Sequence, residues 1–240
     1  MNCLRSLEFI RRIDGRYKKF GLATIIIHPP EWDFEKKMGN IADAVKRYNI
    51  DFPIIMDKNK KILKKLRINF WPAQILIKNR KIVYKHIGEG NYKKLEYAIM
   101  GSLNIKSKRM FYEEPIYGKF QTVYCGKRKK GAAKFHNRLR KLKFGVNYVD
   151  NNWMQKMEYI KSIRSRASLT LSTKGKMANF VAESLNKRPA KITVKLNGKY
   201  AKKLVVCRPK TYSIGKLKRN AEKMEIISPR NVAIYSFSFK

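Results

Sequence analysis

Apolar residues recur at helical spacing near the start of the chain: Leu4, Leu7, Ile10, Ile13 and Tyr17, with arginines and lysines between them. The spacing predicts a helix of about four turns that begins at Asn2 or Cys3, asparagine being a favoured cap, and ends near Gly21. From Leu22 to Ile27 the polar positions vanish, and this β-branched run predicts a strand buried on both faces of a parallel sheet. His28-Pro29-Pro30-Glu31 ends it. Phe34, Met38, Ile41 and Val45 fall on one face of a helix expected over 34–48. A short strand over 52–56 and a short helix over 58–66 precede the Trp71-Pro72 turn. Strands over 74–78 and 82–86 flank a tight turn at Asn79-Arg80, and Gly88-Glu89-Gly90 leads into a helix over 92–103. Strand, helix, strand, hairpin, helix is an α/β order with an antiparallel addition.

Past residue 118 the period becomes two. Ser168–Leu171, Asn179–Ala182, Ile192–Leu196, Leu204–Val206, Met224–Ile227 and Ile234–Phe239 read as short strands, separated by turn signals such as Asn197-Gly198 and Ser228-Pro229. Many short strands with turns between them predict a separate all-β domain, a sandwich of jelly-roll type. The expected organisation is an α/β domain over 1–106, a linker over 107–118 and a β-sandwich domain over 119–240.

Composition narrows the class. At 240 residues and 44% hydrophobic, the chain can bury a core and is not of the disordered type. Its longest apolar stretch, 21–27, is far too short to cross a bilayer. Helical chemistry starts at residue 3, so no export signal is expected in the chain as given.

The charge is large: 56 basic against 17 acidic residues, a formal +39. Residues 115–240 carry 31 basic and 5 acidic side chains. Such an excess invites nucleic acid, anionic lipid or an acidic polymer, but lysines spread over tolerant surface sites are the plainer reading. Within 126–144, Lys127, Arg128, Lys129, Lys130, Lys134, Arg138, Arg140, Lys141 and Lys143 run without an acid. They could clasp phosphates or another anionic polymer, with Phe135 and Phe144 free to stack. No nucleic-acid-binding motif frames them, so specific nucleic-acid binding is not expected, and a solvated segment is the plainer reading.

Three cysteines, Cys3, Cys125 and Cys207, are too few and too scattered for a disulfide framework or a zinc site. Cys207, at the end of an apolar strand, reads as a small buried hydrophobe; Cys125 sits beside a basic turn, and free cysteine is commonly core. His28, His86 and His136 form no metal-ligand spacing, and Gly88-Glu89-Gly90 lacks the Lys-Ser/Thr of a phosphate loop. No metal and no cofactor are expected.

Four stretches carry a resemblance. Cys3-Leu4-Arg5-Ser6-Leu7, His28-Pro29-Pro30-Glu31-Trp32-Asp33-Phe34-Glu35-Lys36, Asn69-Phe70-Trp71-Pro72-Ala73 and His86-Ile87-Gly88-Glu89-Gly90-Asn91-Tyr92 resemble, in order, segments of the TlpA/DipZ branch of thioredoxin-like thiol–disulfide oxidoreductases. Trp153, 205–212 and 232–239 look like the β-sandwich that follows the redox domain in DipZ-type proteins. The resemblance implies an extracytoplasmic (periplasmic or envelope) oxidoreductase, tied to cytochrome c maturation or envelope thiols. Its partners would be protein thiols and disulfides, with a membrane electron donor upstream. It further implies that Cys3 is the second, resolving cysteine of a CxxC pair and that Pro72, beside Trp71, is the family's cis-proline. Glu31 would be the acid that manages protons near the thiols; from the residues alone, a cap for the helix near Asp33 is the plainer reading of Glu31.

The chain departs from that pattern where the first cysteine and the strand leading to it would stand, before Met1. The resemblance therefore implies a thioredoxin-like domain lacking its first strand and first CxxC cysteine, an N-terminally truncated relative with an impaired two-thiol cycle. Two alternatives stay open: a non-catalytic module whose basic sandwich docks an anionic envelope polymer, glycan or partner protein, and nonspecific nucleic-acid binding by the basic half.

Overall fold

The computed structural model describes residues 2–106, 121–135, 142–217 and 223–239, apart from the Asn2 side chain. The expected Asn2 cap and the linker over 107–118 therefore lie outside the described residues. The chain falls into two compact units, Met1–Tyr117 and Gly118–Lys240.

In the first unit, helix α1 spans Asn2–Tyr17 and is extended by a short 3-10 turn, Lys18–Phe20, that closes at Gly21 with φ 97°. Its buried stripe is Phe9, Ile13 and Tyr17, at i, i+4 and i+8, whereas Leu4, Leu7 and Ile10 are only partly covered. The stripe packs with α4, Tyr92–Ser102, through Tyr92, Leu95, Ile99 and Met100, and onto Leu76 and Tyr84. Phe9 stacks on Tyr92 with ring centroids 4.0 Å apart. Burying one such side chain contributes about 1.5–3 kcal/mol, so this helix pair forms the centre of the unit.

The strands are shorter than the hydrophobic runs. The Leu22–Ile27 run yields only β1, Ile26–His28, which pairs in parallel with β2, Ile54–Met56. No β1 residue is fully buried and Ile25 is 57% exposed, so burial on both faces is not observed. The reason is width: the ladder of β1 and β2 has two strands, too few to be enclosed between layers. A separate antiparallel pair joins β3, Ala73–Lys78, to β4, Lys81–Ile87. The helix expected over 34–48 divides into a 3-10 turn, Asp33–Lys36, and α2, Met38–Arg47, which buries no residue fully and leaves Met38 63% exposed. A one-turn α3, Lys61–Lys65, is seated by the Asp57 carboxylate, which accepts the Leu63 amide at 3.0 Å.

The second unit contains strands β5 (Gln121–Tyr124), β6 (Ala132–Phe135), β7 (Val146–Val149), β8 (Trp153–Gln155), β9 (Ile160–Ser162), β10 (Ala167–Ser172), β11 (Met177–Ser184), β12 (Ala190–Leu196), β13 (Lys199–Val206), β14 (Lys210–Lys216), β15 (Lys223–Ser228) and β16 (Val232–Phe239). They form two sheets, ordered β13-β12-β15-β10-β7-β6 and β14-β11-β16-β9-β8, with β5 added against β16. Asn197 and Gly198, at φ 49° and 80°, make the two-residue hairpin between β12 and β13, where positive φ suits the strand twist. One buried cluster draws on both sheets: Leu169, Leu171, Ile192, Val194, Met224 and Ile226 from the first, Phe180, Ala182, Ile234, Phe237 and Phe239 from the second. Every residue of β16 is buried.

Candidate functional site

Cys3 stands in the first turn of α1; part of the residue reaches solvent, while surrounding atoms crowd the sulfur itself. A helix N-terminus ordinarily lowers a thiol's pKa. Here the opposite effect wins: loss of solvent around the sulfur, reinforced by the charges of Glu31 and Glu35, pushes the thiol up to about 11. Cys3 is accordingly a protonated thiol at neutral pH.

The two acids differ in role. Glu35 turns its carboxylate back over the start of its own 3-10 turn and accepts the backbone amides of Glu31 at 2.5 Å and Trp32 at 3.3 Å. Glu35 is thus the capping acid of this turn, the role that sequence reasoning had offered for Glu31. Burial pushes the Glu35 carboxyl up to about 7 despite those two amides. His28, at the end of β1, is held below the usual imidazole range by burial, a shift its hydrogen bond to the Glu35 backbone only partly offsets. Cys3, Glu31, Glu35 and His28 thereby form two linked electrostatic neighbourhoods. Glu35 was missed from sequence because a reach-back of four residues has the same local spelling as a solvated acid.

The segment 86–92 also meets α1. Arg5, two residues past Cys3, forms a two-pronged ion pair with Glu89, both side chains 15% exposed. Ser6 and Tyr92 share a hydrogen bond between hydroxyls of 2.9 Å. Farther along the helix, Tyr17 donates to the Glu96 carboxylate at 2.7 Å. Gly88-Glu89-Gly90 is thus more than a turn: its acid anchors the cysteine-bearing helix. Nothing in the spacing of Arg5 and Glu89, 84 residues apart, announced that pair.

Trp71 and Pro72 lie on the turn into β3; their peptide bond is cis. The Pro72 carbonyl accepts the Gly88 amide at 2.7 Å, and Lys60 Nζ lies 5.0 Å from the centre of the Trp71 ring. Next along β3, Gln74 pairs across the ladder with His86. His86 Nδ1 accepts from Asn91 Nδ2 at 3.0 Å, while His86 Nε2 and both side-chain polar atoms of Gln74 are buried without hydrogen-bond partners.

In the second unit Lys127–Lys129 form a 3-10 turn, not a free run. The Lys127 and Arg128 amides donate to the Lys156 and Met157 carbonyls at 3.1 and 2.7 Å, and Arg128 is ion-paired with the buried Glu158. Arg128 is exposed, and backbone pairing with the Glu158 ion pair holds it in a formed turn. Lys127 and Lys130 are exposed and Lys129 partly so. Arg138, Arg140, Lys141 and His136 lie outside the described residues. Cys125 is fully buried, as expected of a small hydrophobe. Cys207 is not: it follows the end of β13, is only partly covered, and its Sγ lies 3.3 Å from the Lys187 carbonyl. Among the described residues no group of histidines, cysteines and acids could hold a metal ion. Among the same residues no helix is long and apolar enough to cross a membrane.

Part of the chain is similar to thioredoxin-like proteins of the redoxin kind. Over 106 residues it is 37% identical to Protein DipZ of Mycobacterium tuberculosis, a match that takes in 43% of this chain and 15% of that protein. Over 95 residues it is 30% identical to the thiol-disulfide oxidoreductase ResA of Bacillus cereus, covering 39% of this chain and 52% of ResA. The chain thus spans about half of one relative and a small part of the other. A solved thiol:disulfide interchange protein DsbE from Chlorobium tepidum aligns with 42% of this chain and 71% of its own, at 19% identity and a TM-score of 0.38, too slight a likeness to bear on the fold. No family model matches the chain.

Proposed function

We propose that the chain is a thiol–disulfide oxidoreductase of the thioredoxin-like type in which Cys3 is a resolving thiol, acting on protein thiols and disulfides outside the cytoplasm. The observation that carries this reading is the state of Cys3. It sits in the first turn of α1, at the helix start where such chemistry is done, with the charges of Glu31 and Glu35 acting on its thiol. On this reading Glu35 shares with Glu31 the task of taking its proton, since the charges of both act on the thiol. Glu35 is half-ionised near neutral pH, where a general base works best. Trp71 and cis-Pro72 supply the turn that would face substrate backbone.

Cys3 is the single cysteine of its unit. On this reading a second thiol completes the cycle. The Cys3 thiolate attacks a disulfide, one new S–S bond forms, one thiolate leaves, and an outside thiol must reduce the mixed disulfide. On this reading the redox domain is followed by a jelly-roll-like β-sandwich, its two six-stranded sheets sharing one core.

The test is incubation of the full chain with glutathione disulfide, followed by peptide mass analysis and an insulin-reduction assay. The expected result is a glutathione adduct at Cys3, released by added dithiol, with insulin turnover that needs that dithiol and is abolished by Cys3→Ser. Turnover that survives Cys3→Ser would overturn the assignment.

A further inference from the structure

We propose, on the redox reading above, that Glu89, acting through Arg5, is a positioning residue that fixes the Cys3 end of α1 against the Trp71–Pro72 turn. Segment 88–92 reaches both halves of that site. On one side the Gly88 N–H donates to the Pro72 carbonyl at 2.7 Å. On the other, Glu89 takes the Arg5 guanidinium with both carboxylate oxygens, one on Nε and one on Nη2, each side chain only 15% exposed. Tyr92 then shares a hydroxyl hydrogen bond of 2.9 Å with Ser6 and stacks on Phe9. The strap is itself fastened to β4: the Tyr84 hydroxyl donates to the Asn91 carbonyl at 3.1 Å, and Asn91 Nδ2 donates to His86 Nδ1. Gly88 and Gly90 sit at φ 110° and 101°, a region that suits glycine, so Glu89 meets the helix while its neighbour meets the proline turn.

Geometry, not charge, is what this pair supplies. At 3.6 residues per turn, Arg5 lies about 200° round the helix from Cys3, and the side-chain charges acting on the thiol are those of Glu31 and Glu35. A forked guanidinium–carboxylate pair fixes orientation as well as distance, because two hydrogen bonds run side by side. Without Glu89 the fork is lost, and with it the fixed placing of the first turn of α1. The exchange step is what needs that placing. The Cys3 thiolate attacks one sulfur of a substrate disulfide and a new S–S bond forms. The substrate's own S–S bond breaks, and its second sulfur leaves as a thiolate with the bonding electrons. A polypeptide seated at the Trp71–Pro72 turn cannot follow a displaced sulfur, and a misplacement of about 1 Å can cost on the order of a hundredfold in rate. A small disulfide, held by nothing, can follow it. Glu89 therefore governs reaction with polypeptide disulfides and spares reaction with small ones.

The full chain is reacted separately with insulin and with hydroxyethyl disulfide, and mixed-disulfide formation at Cys3 is timed by peptide-resolved mass analysis. Glu89→Gln should slow the insulin reaction on the order of tenfold and the hydroxyethyl disulfide reaction by less than about twofold. Arg5→Lys, which keeps both charges but loses the fork, should do the same and carries the test where Glu89→Gln does not fold. General loosening of the unit would instead change both rates alike. The pH profile of the small-disulfide reaction should stay that of the wild type, since the pair does not act on the thiol's charge. Arg12→Ala, which breaks an exposed pair with Glu8 on the same helix, should leave both rates unchanged. A wild type that forms no adduct at Cys3 would overturn the redox reading, and this one with it. An adduct in the wild type, with variants that slow both disulfides alike, slow neither, or shift the pH profile, would overturn the positioning role alone.

Discussion

Glu35 accepts the backbone N–H of Glu31 at 2.5 Å, closing the turn that carries both acids to Cys3. The charge of that partly buried carboxylate, with that of Glu31, raises the cost of ionising the Cys3 thiol.

The pH dependence of stability follows from Glu35. Its folded value of about 7 lies above the ordinary 4.5. Between those values the folded chain keeps a proton that the unfolded chain releases. Its contribution to stability is therefore fully present below about 4.5 and is lost as pH rises toward 7. Urea midpoints of wild type and Glu35→Gln should differ in slope: between pH 5 and 8 the wild type should lose more stability than the variant. Parallel slopes would contradict the assigned environment.

The three cysteines should separate by alkylation. Cys3, at about 11 rather than 9, holds roughly a hundredfold less thiolate at pH 8 than an ordinary cysteine. With iodoacetamide and peptide-resolved mass spectrometry, Cys207 should react first and Cys3 slowly, its rate still climbing above pH 9. Cys125, fully buried, should react only after denaturation.

Tyr17→Phe removes the donor to Glu96, a carboxylate only 1% exposed. Leaving a buried acceptor without its partner costs about 1–3 kcal/mol. Thermal unfolding should show a loss of that size, whereas Arg12→Ala, which breaks an exposed pair with Glu8, should change stability by less than about 1 kcal/mol.

Gly126→Ala should destabilise the second unit. A Cβ there would overlap the backbone of Glu158, and one on Gly131 would lie 2.6 Å from the Tyr124 carbonyl oxygen. Because backbone, not a flexible side chain, is in the way, we expect a loss of about 1–3 kcal/mol. An unfolding transition unchanged by Gly126→Ala would show that the turn at 126–131 can move aside.

Several features were legible without coordinates because they are local. Helical spacing located α1 and α4, and alternation located β10, β12, β15 and β16, since side-chain direction repeats with a fixed period in each element. Asn197-Gly198 specified its hairpin because few residues tolerate positive φ twice in succession. The Cys3 segment, the His28–Glu35 segment, Trp71-Pro72 and the His86–Tyr92 segment named the redox class before any coordinate did. Strands β5 to β9 escaped notice because each is three or four residues long, too short for alternation to declare itself.

Sequence by itself thus determined the class of elements, the half-and-half organisation and the presence of a cysteine at a helix start. Tertiary structure decided what those residues experience. Only packing made Glu35, not Glu31, the capping acid, raised the Cys3 thiol, joined Arg5 to Glu89, and tied Gly88 to Pro72. Ionisation and pairing depend on neighbours distant in sequence and on lost solvent, and neither is written in the spacing of residues along the chain.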